Sequence, residues 1–363
     1  MDGIEARKRY HIDLCLDLGD EAEFRGKTTW FEHVELVHNA LPELDLDEVS
    51  LEAELLGRRF SYPLLIEGMT GGTEKAYDVN RSLAEAADRL NIPMEVGSER
   101  AGIENRELAG TYRVAREASP KLFLIGNISG VQLAREGVSY AEKAVEMIEA
   151  DALAIHLNCL QELVQPEGTP FFRGVLEAIR RASERLSVPL LVKEVGNGIS
   201  REVAEKLAEA GVKAIDVAGA GGTNWTRIEL ERARGIDPEK AGLAELFSEW
   251  GIPTAASIIE ASSVEGIEVI ASGGIRNGLQ IAKAIALGAS FAGVAKPLLK
   301  PALRGSGEVE RLLKRLALEL RAAMFLTGSR NIGDLRRCGY VLTGPLLEWA
   351  KQRVGGSSSR IRM

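Results

Sequence analysis

Eight short apolar runs punctuate the chain, at residues 63–67, 92–96, 122–125, 152–157, 189–192, 214–217, 268–270 and 291–294. They are short, β-rich and mostly apolar, so they read as strands. Between most of them lie stretches with apolar residues at helical spacing, such as 80–90, 141–148 and 201–210. The unit repeats at roughly 25 to 37 residues, the length of one strand plus one helix. The interval after Val217 is longer and holds a polar loop over 223–239, then a helix, then the segment 253–261. Eight such units predict an α/β protein of the (β/α)8 TIM-barrel type, with an open doubly wound sheet as the alternative. Residues 1–363 form one domain in this reading. An N-terminal extension (1–62, with a hairpin through 51–57) precedes the barrel core (63–305), and residues 306–363 supply a helix over 309–325 and a Gly/Ser-rich tail.

The strand ends carry the chemistry. Following the runs in order come Met69-Thr70-Gly71-Gly72, Gly97-Ser98-Glu99-Arg100, Gly126-Asn127, His156-Leu157-Asn158, Lys193-Glu194, Ala220-Gly221-Gly222-Thr223, Gly273-Gly274 and Ala295-Lys296. Strand starts mostly lack such residues. In a (β/α)8 barrel the loops after the strands form the active face, so the asymmetry predicts an enzyme rather than a scaffold.

Composition narrows the class. Hydrophobic residues make up 45% and charged residues 27%, ordinary for a globular domain, and no apolar run reaches the roughly 20 residues of a membrane span. A formal charge of −8 argues against a nucleic-acid or membrane-surface binder. The charged first residues lack the apolar core of a signal peptide. Cys15, Cys159 and Cys338 lie in no metal-ligand spacing and read as reduced thiols, as expected of a cytoplasmic protein.

The stretch Ala271 to Gly278 is the sharpest local signal. Its glycines let backbone N–H groups close around an anion where the helix over 279–287 begins, and Ala295-Lys296 adds a neighbouring strand end, the usual phosphate corner of a barrel. Lys193 ends an apolar strand and aims a charge at the barrel mouth. His156, Asn158, Gln161 and Glu162 leave the fourth strand together: Gln161 suits substrate orientation, Glu162 offers a hard oxygen ligand for Mg²⁺, and His156 is either catalytic or structural. Arg100 can pair bidentately with a phosphate. Cys159 has no basic partner nearby in sequence to activate it.

Taken in order, Arg7-Lys8-x-x-His11, Gly68-Met69-Thr70-Gly71-Gly72, Gly97-Ser98-Glu99-Arg100, His156 through Glu162, Lys193-Glu194-Val195-Gly196, Ala220 through Trp225 and Ser272-Gly273-Gly274-Ile275-Arg276 resemble the type 2 isopentenyl-diphosphate Δ-isomerases. That resemblance implies an FMN-dependent, Mg²⁺-requiring enzyme interconverting two isoprenoid diphosphates, with NADPH as the common reductant and assembly as tetramers or octamers. It implies that Met69, Thr70, Ser98, Asn127, Lys193, Thr223, Gly273, Gly274, Ile275, Arg276, Ala295 and Lys296 hold FMN. Arg7, Lys8, His11, Ser98, Arg100, Asn158 and Gln161 would hold substrate, Glu162 would take Mg²⁺, and Gln161, Lys193 and His156 would serve catalysis. Glu99 departs from the family's usual Gln, and a carboxylate beside a diphosphate would be repulsive. The rival is an FMN-dependent oxidoreductase of the 2-hydroxy-acid oxidase type. It needs a catalytic His in the later loops, and no histidine follows His156.

Overall fold

Eight parallel strands close into a barrel in sequence order: β1 (Leu64–Ile66), β2 (Met94–Glu95), β3 (Leu124–Ser129), β4 (Ala152–His156), β5 (Leu190–Lys193), β6 (Ala214–Asp216), β7 (Glu268–Ala271) and β8 (Phe291–Val294). β8 returns to β1 through Ala292↔Leu64 and Val294↔Ile66. The computed structural model describes residue 10, residues 13–14 and residues 16–354; Arg7, Lys8, His11 and Cys15 fall outside them.

Strand alternation divides the apolar side chains into two sets. Leu64, Ile66, Val192 and Ile215 face outward into the strand–helix core. Leu65, Ile125, Ala152, Ala154, Leu191, Ala214, Ile270 and Phe291 fill the barrel's interior. That double burial is why the strands read as continuous apolar runs. A hairpin of Ala53–Leu55 and Arg58–Phe60 plugs the end where the strands begin. Its Phe60 ring stands edge-on to Phe123 and Phe291, with centroids 5.6 and 5.7 Å away. With that end sealed by aromatic packing, the opposite end is the mouth.

The helix Ser306–Leu326 buries Val309, Leu313, Leu316, Leu320 and Met324, and packs on the helices Glu74–Leu90 and Gly278–Ala286. The N-terminal extension joins the C-terminal region through an antiparallel pair, Val34–Leu36 with Tyr340–Leu342. One expectation is corrected. The segment 223–239, expected as a polar loop, forms the helix Trp225–Ala233, whose start is capped by the Asn224 side chain accepting from the Arg227 N–H at 3.2 Å. The segment 253–261 is likewise helical, Thr254–Ser262. Among the described residues no helix is long and apolar enough to cross a membrane.

Candidate active site

Above the apolar filling, the inward side chains turn polar. Glu67, Glu95, Asn127, Lys193, Asp216 and Ser272 are all buried there, with His156 half-buried beside them. Register places Lys193 opposite His156 on one side and Asp216 on the other, so all three point the same way. His156 Nδ1 lies 2.7 Å from Asn127 Oδ1, and the Asn127 amide donates to Glu95 Oε1. Lys193 Nζ lies 3.4 Å from Glu67 Oε2 and 3.5 Å from Asp216 Oδ2. Burial alone would lower the lysine's pKa, but Glu95, Glu67 and Asp216 outweigh it and hold the ammonium well above its ordinary range.

On this polar layer sits a cavity of about 260 Å³, and it collects every expected site residue that the structure describes. Met69, Thr70, Ser98, Asn127, Lys193 and Thr223 line one part of it, Gly273 through Arg276 with Ala295 and Lys296 another, and Arg100, His156, Asn158, Gln161 and Glu162 a third. The substrate expectations at Arg7, Lys8 and His11 lie outside the described residues.

The phosphate corner works differently from the expectation. The first N–H of the helix Gly278–Ala286 is taken by Glu319 Oε2 at 2.7 Å, and Asn277 caps Gln280 N. The helix start is therefore filled by the protein's own oxygens. Free donors lie instead on the turn before it: no described group accepts from the backbone N–H of Gly273, Gly274, Ile275 or Ala295. Gly273 and Gly274 have φ of +91° and +87°, a conformation that turns successive N–H groups to one side and suits glycine. A side chain on Gly222 would collide with the Gly274 N–H, so bare backbone on both sides keeps the cradle open. The Arg276 and Lys296 side chains are already engaged, with Glu23 Oε1 at 2.6 and 2.9 Å. The donor set and the unpartnered, buried Thr70 Oγ1 fit a phosphate-bearing flavin.

The other wall is a hydrogen-bonded cluster. Asn158 Nδ2 donates to Gln161 Oε1 (3.2 Å) and Glu162 Oε1 (3.1 Å), while Gln161 Nε2 donates to Glu229 Oε1 at 3.0 Å. Glu229 is fully buried and paired with Arg232, which also binds Glu167 at 2.6 Å. Glu162 Oε2 accepts from the Thr169 N–H at 2.8 Å. Arg100 Nε pairs with Glu104 at 2.8 Å while remaining on the cavity wall. Glu99 resolves the sequence departure: it is fully buried, accepts from the Asn127 N–H at 2.8 Å, and stays off the cavity wall. Desolvation, then the Glu194 charge, raises the Cys159 thiol pKa, which disfavours its thiolate.

Sequence reasoning missed Glu67, Glu95, Asp216, Glu229, Arg232 and Glu23. The first three did leave a signal, since a carboxylate inside or ending an apolar strand buried on both faces demands a partner.

A parallel eight-stranded barrel with such a corner at the ends of β7 and β8 has the architecture of the phosphate-binding (β/α)8 barrels. Residues 171–341 match the FMN-dependent dehydrogenase family model. The fold is also that of a mandelate oxidase variant holding an FMN monooxide adduct, with TM-score 0.64 and 21% identity over 92% of this chain and 99% of that one. More specifically, the chain is 47% identical over 357 residues to the isopentenyl-diphosphate delta-isomerase of Pyrococcus abyssi, covering 96% of this chain and 95% of that protein. It is 49% identical over 353 residues to the Halobacterium salinarum enzyme of the same name, covering 96% and 97%. The chain belongs to the isopentenyl-diphosphate delta-isomerase family.

Proposed function

We propose that this chain interconverts isopentenyl and dimethylallyl diphosphate, using FMN as an acid–base cofactor, Mg²⁺ on the diphosphate and NADPH to keep the flavin reduced. The carrying observation is one cavity that joins the unpartnered N–H groups at Gly273–Ile275 to the locked Asn158–Gln161–Glu162 cluster.

The reaction delivers a proton to one end of an alkene and removes another two carbons away, and the electron-poor species between must be kept from water. Reduced FMN supplies a weak acid and base at the ring face for this purpose. The chain's residues do the rest. The Gly273–Ile275 and Ala295 N–H groups hold the cofactor phosphate, with Met69, Thr70, Ser98, Asn127 and Thr223 along its length. Lys193 presents a fixed ammonium that favours negative charge nearby. Gln161 is clamped by Asn158 and Glu229, which fixes its amide on the cavity wall, where it would orient substrate. Glu162 offers a carboxylate to Mg²⁺, whose other ligands would be substrate oxygens and water. Arg100 and Ser98, with Arg7, Lys8 and His11, would grip the diphosphate, so remote binding energy positions the small apolar tail. His156 lines the cavity with its Nδ1 held by Asn127, which fixes the ring for a catalytic role there. Family membership also supports a tetrameric or octameric assembly in the cytoplasm.

The oxidase reading finds no support at the site, because no histidine follows His156. Anaerobic incubation of purified protein with FMN, Mg²⁺, NADPH and isopentenyl diphosphate, with each component omitted in turn, is the test. Dimethylallyl diphosphate should form only in the complete mixture. Consumption of a 2-hydroxy acid without isomerisation would reverse the assignment.

A further inference from the structure

The mechanism above uses Lys193 but leaves three buried acids around it without a task. Glu67 follows β1, Glu95 ends β2 and Asp216 ends β6, and their exposures are 3%, 1% and 0%. If all three were ionised, a single ammonium would face three carboxylates in a water-poor interior, leaving two uncompensated charges.

The donors available decide how the cluster is satisfied. Asp216 Oδ1 accepts from Ser272 Oγ at 2.6 Å and from the Ala218 N–H at 3.2 Å. Glu95 Oε1 accepts from the Asn127 amide. Glu67 has neither kind of partner. Its two oxygens, together with Glu95 Oε2 and Asp216 Oδ2, receive no hydrogen bond from any described group, and the cation beside it is Lys193 at 3.4 Å. Yet Glu67 Oε2 and Asp216 Oδ2 crowd the same ammonium, 3.4 and 3.5 Å from Lys193 Nζ. Acceptors in reach of acceptors are satisfied only when one of them carries a proton. Gly293 on β8 makes the room, since a Cβ there would run into Glu67 Oε1.

We propose that Glu67 is a neutral carboxylic acid whose single O–H is donated to Asp216, and that this bridge is the positioning device that holds the Lys193 ammonium at the cavity floor. Asp216 keeps two donors of its own, Ser272 Oγ and the Ala218 N–H, and lies 3.5 Å from Lys193 Nζ. The direction of titration agrees: burial first, then the Asp216 charge, pushes the Glu67 carboxyl well above its usual range, against the pull of Lys193. The groups facing it are Glu95, Asp216 and Lys193, with His156 one step away through Asn127. The arrangement does not depend on which reaction runs above it. It keeps the floor from becoming strongly negative where an anionic cofactor must bind.

Infrared spectroscopy of the apoprotein and of the FMN-loaded protein tests this without measuring turnover. The wild-type minus Glu67→Gln difference spectrum should show a protonated-carboxyl carbonyl band that moves in D2O, and Asp216→Asn and Glu95→Gln should both retain that band. In redox titrations of bound FMN, Asp216→Asn should raise the midpoint potential, whereas Glu67→Gln, which exchanges one neutral donor for another, should leave it nearly unchanged. A band that survives Glu67→Gln, or an equal rise in potential in both variants, would overturn the proposal. Should Glu67→Gln not fold, carboxyl-¹³C glutamate labelling of the wild type must shift the band; a band moved by labelled aspartate instead would also overturn it.

Discussion

Glu23 Oε1 and Arg276 Nη2 lie 2.6 Å apart, joining the N-terminal extension to the phosphate corner across 253 positions of chain. Lys296 joins the same carboxylate at 2.9 Å and donates to the Gly19 carbonyl as well. The segment is held by backbone too: Phe24 N–H donates to Gly222 O at 3.1 Å and Asn224 N–H to Ala22 O at 2.8 Å. The two cations therefore anchor a strap beside the cavity.

Removing that carboxylate should cost stability in a pH-dependent way. Burial opposes ionisation of Glu23, but Arg276 and Lys296 outweigh it and hold its pKa below the ordinary value. A depressed carboxylate stabilises the fold above its unfolded-state pKa, and the contribution is lost as pH falls through the folded-state value. Glu23→Gln should thus lower stability by about 1–2 kcal/mol at neutral pH. The deficit should shrink steadily toward acid pH. Denaturant titrations of both proteins at pH 7 and across the acid range read this out; a deficit independent of pH would contradict it.

Gly274→Ala should impair cofactor binding and folding together. At φ +87° an alanine is strained by about 1–3 kcal/mol, and its methyl would meet the Thr29 side chain. Flavin fluorescence quenching should report weaker FMN binding, and the melting temperature of the apoprotein should fall as well.

Lys193→Met should leave the barrel folded, because the carboxylates around it can take up protons, but should abolish the fixed positive charge at the floor. Isomerisation should slow by about 10²–10³-fold, the scale of losing one preorganised charge-stabilising group. FMN retained on gel filtration together with such a loss in kcat would separate this from simple cofactor loss.

Glu162→Gln should act on the metal alone. The Mg²⁺ concentration for half-maximal rate should rise by about 10–100-fold. FMN affinity should not change, as among the described residues the Glu162 carboxylate bonds to Asn158 and Thr169 on the far wall. Titrating Mg²⁺ at saturating FMN and substrate distinguishes the two.

Much of this is legible in the sequence, because barrels place chemistry at strand ends. Lys193, Asn127, Gly273 and Gly274 were visible as residues closing apolar runs, and all of them line the cavity. What local pattern hides is register. Lys193 and Asp216 become partners only once β5 and β6 are aligned, and nothing near either residue announces the other. The helix Trp225–Ala233 is hidden for another reason: it buries Glu229 and Arg232, so the apolar period that marks a helix is broken by an internal ion pair. Glu23 is the extreme case, a contact between distant segments. The direction of Glu99 is equally non-local, set by the Asn127 N–H on the neighbouring strand and by space at Gly126, where a Cβ would meet its oxygen at 2.7 Å.

The central claim is that this oxidase-like barrel uses its flavin to move protons. Apoprotein reconstituted with 5-deaza-FMN, which keeps hydride chemistry but lacks the acid–base behaviour of N5, tests it most directly beside FMN-loaded protein. With both cofactors bound and reduced, and Mg²⁺ and isopentenyl diphosphate present without air, dimethylallyl diphosphate should form with FMN and not with the deaza analogue. Equal rates with the two cofactors would contradict the claim.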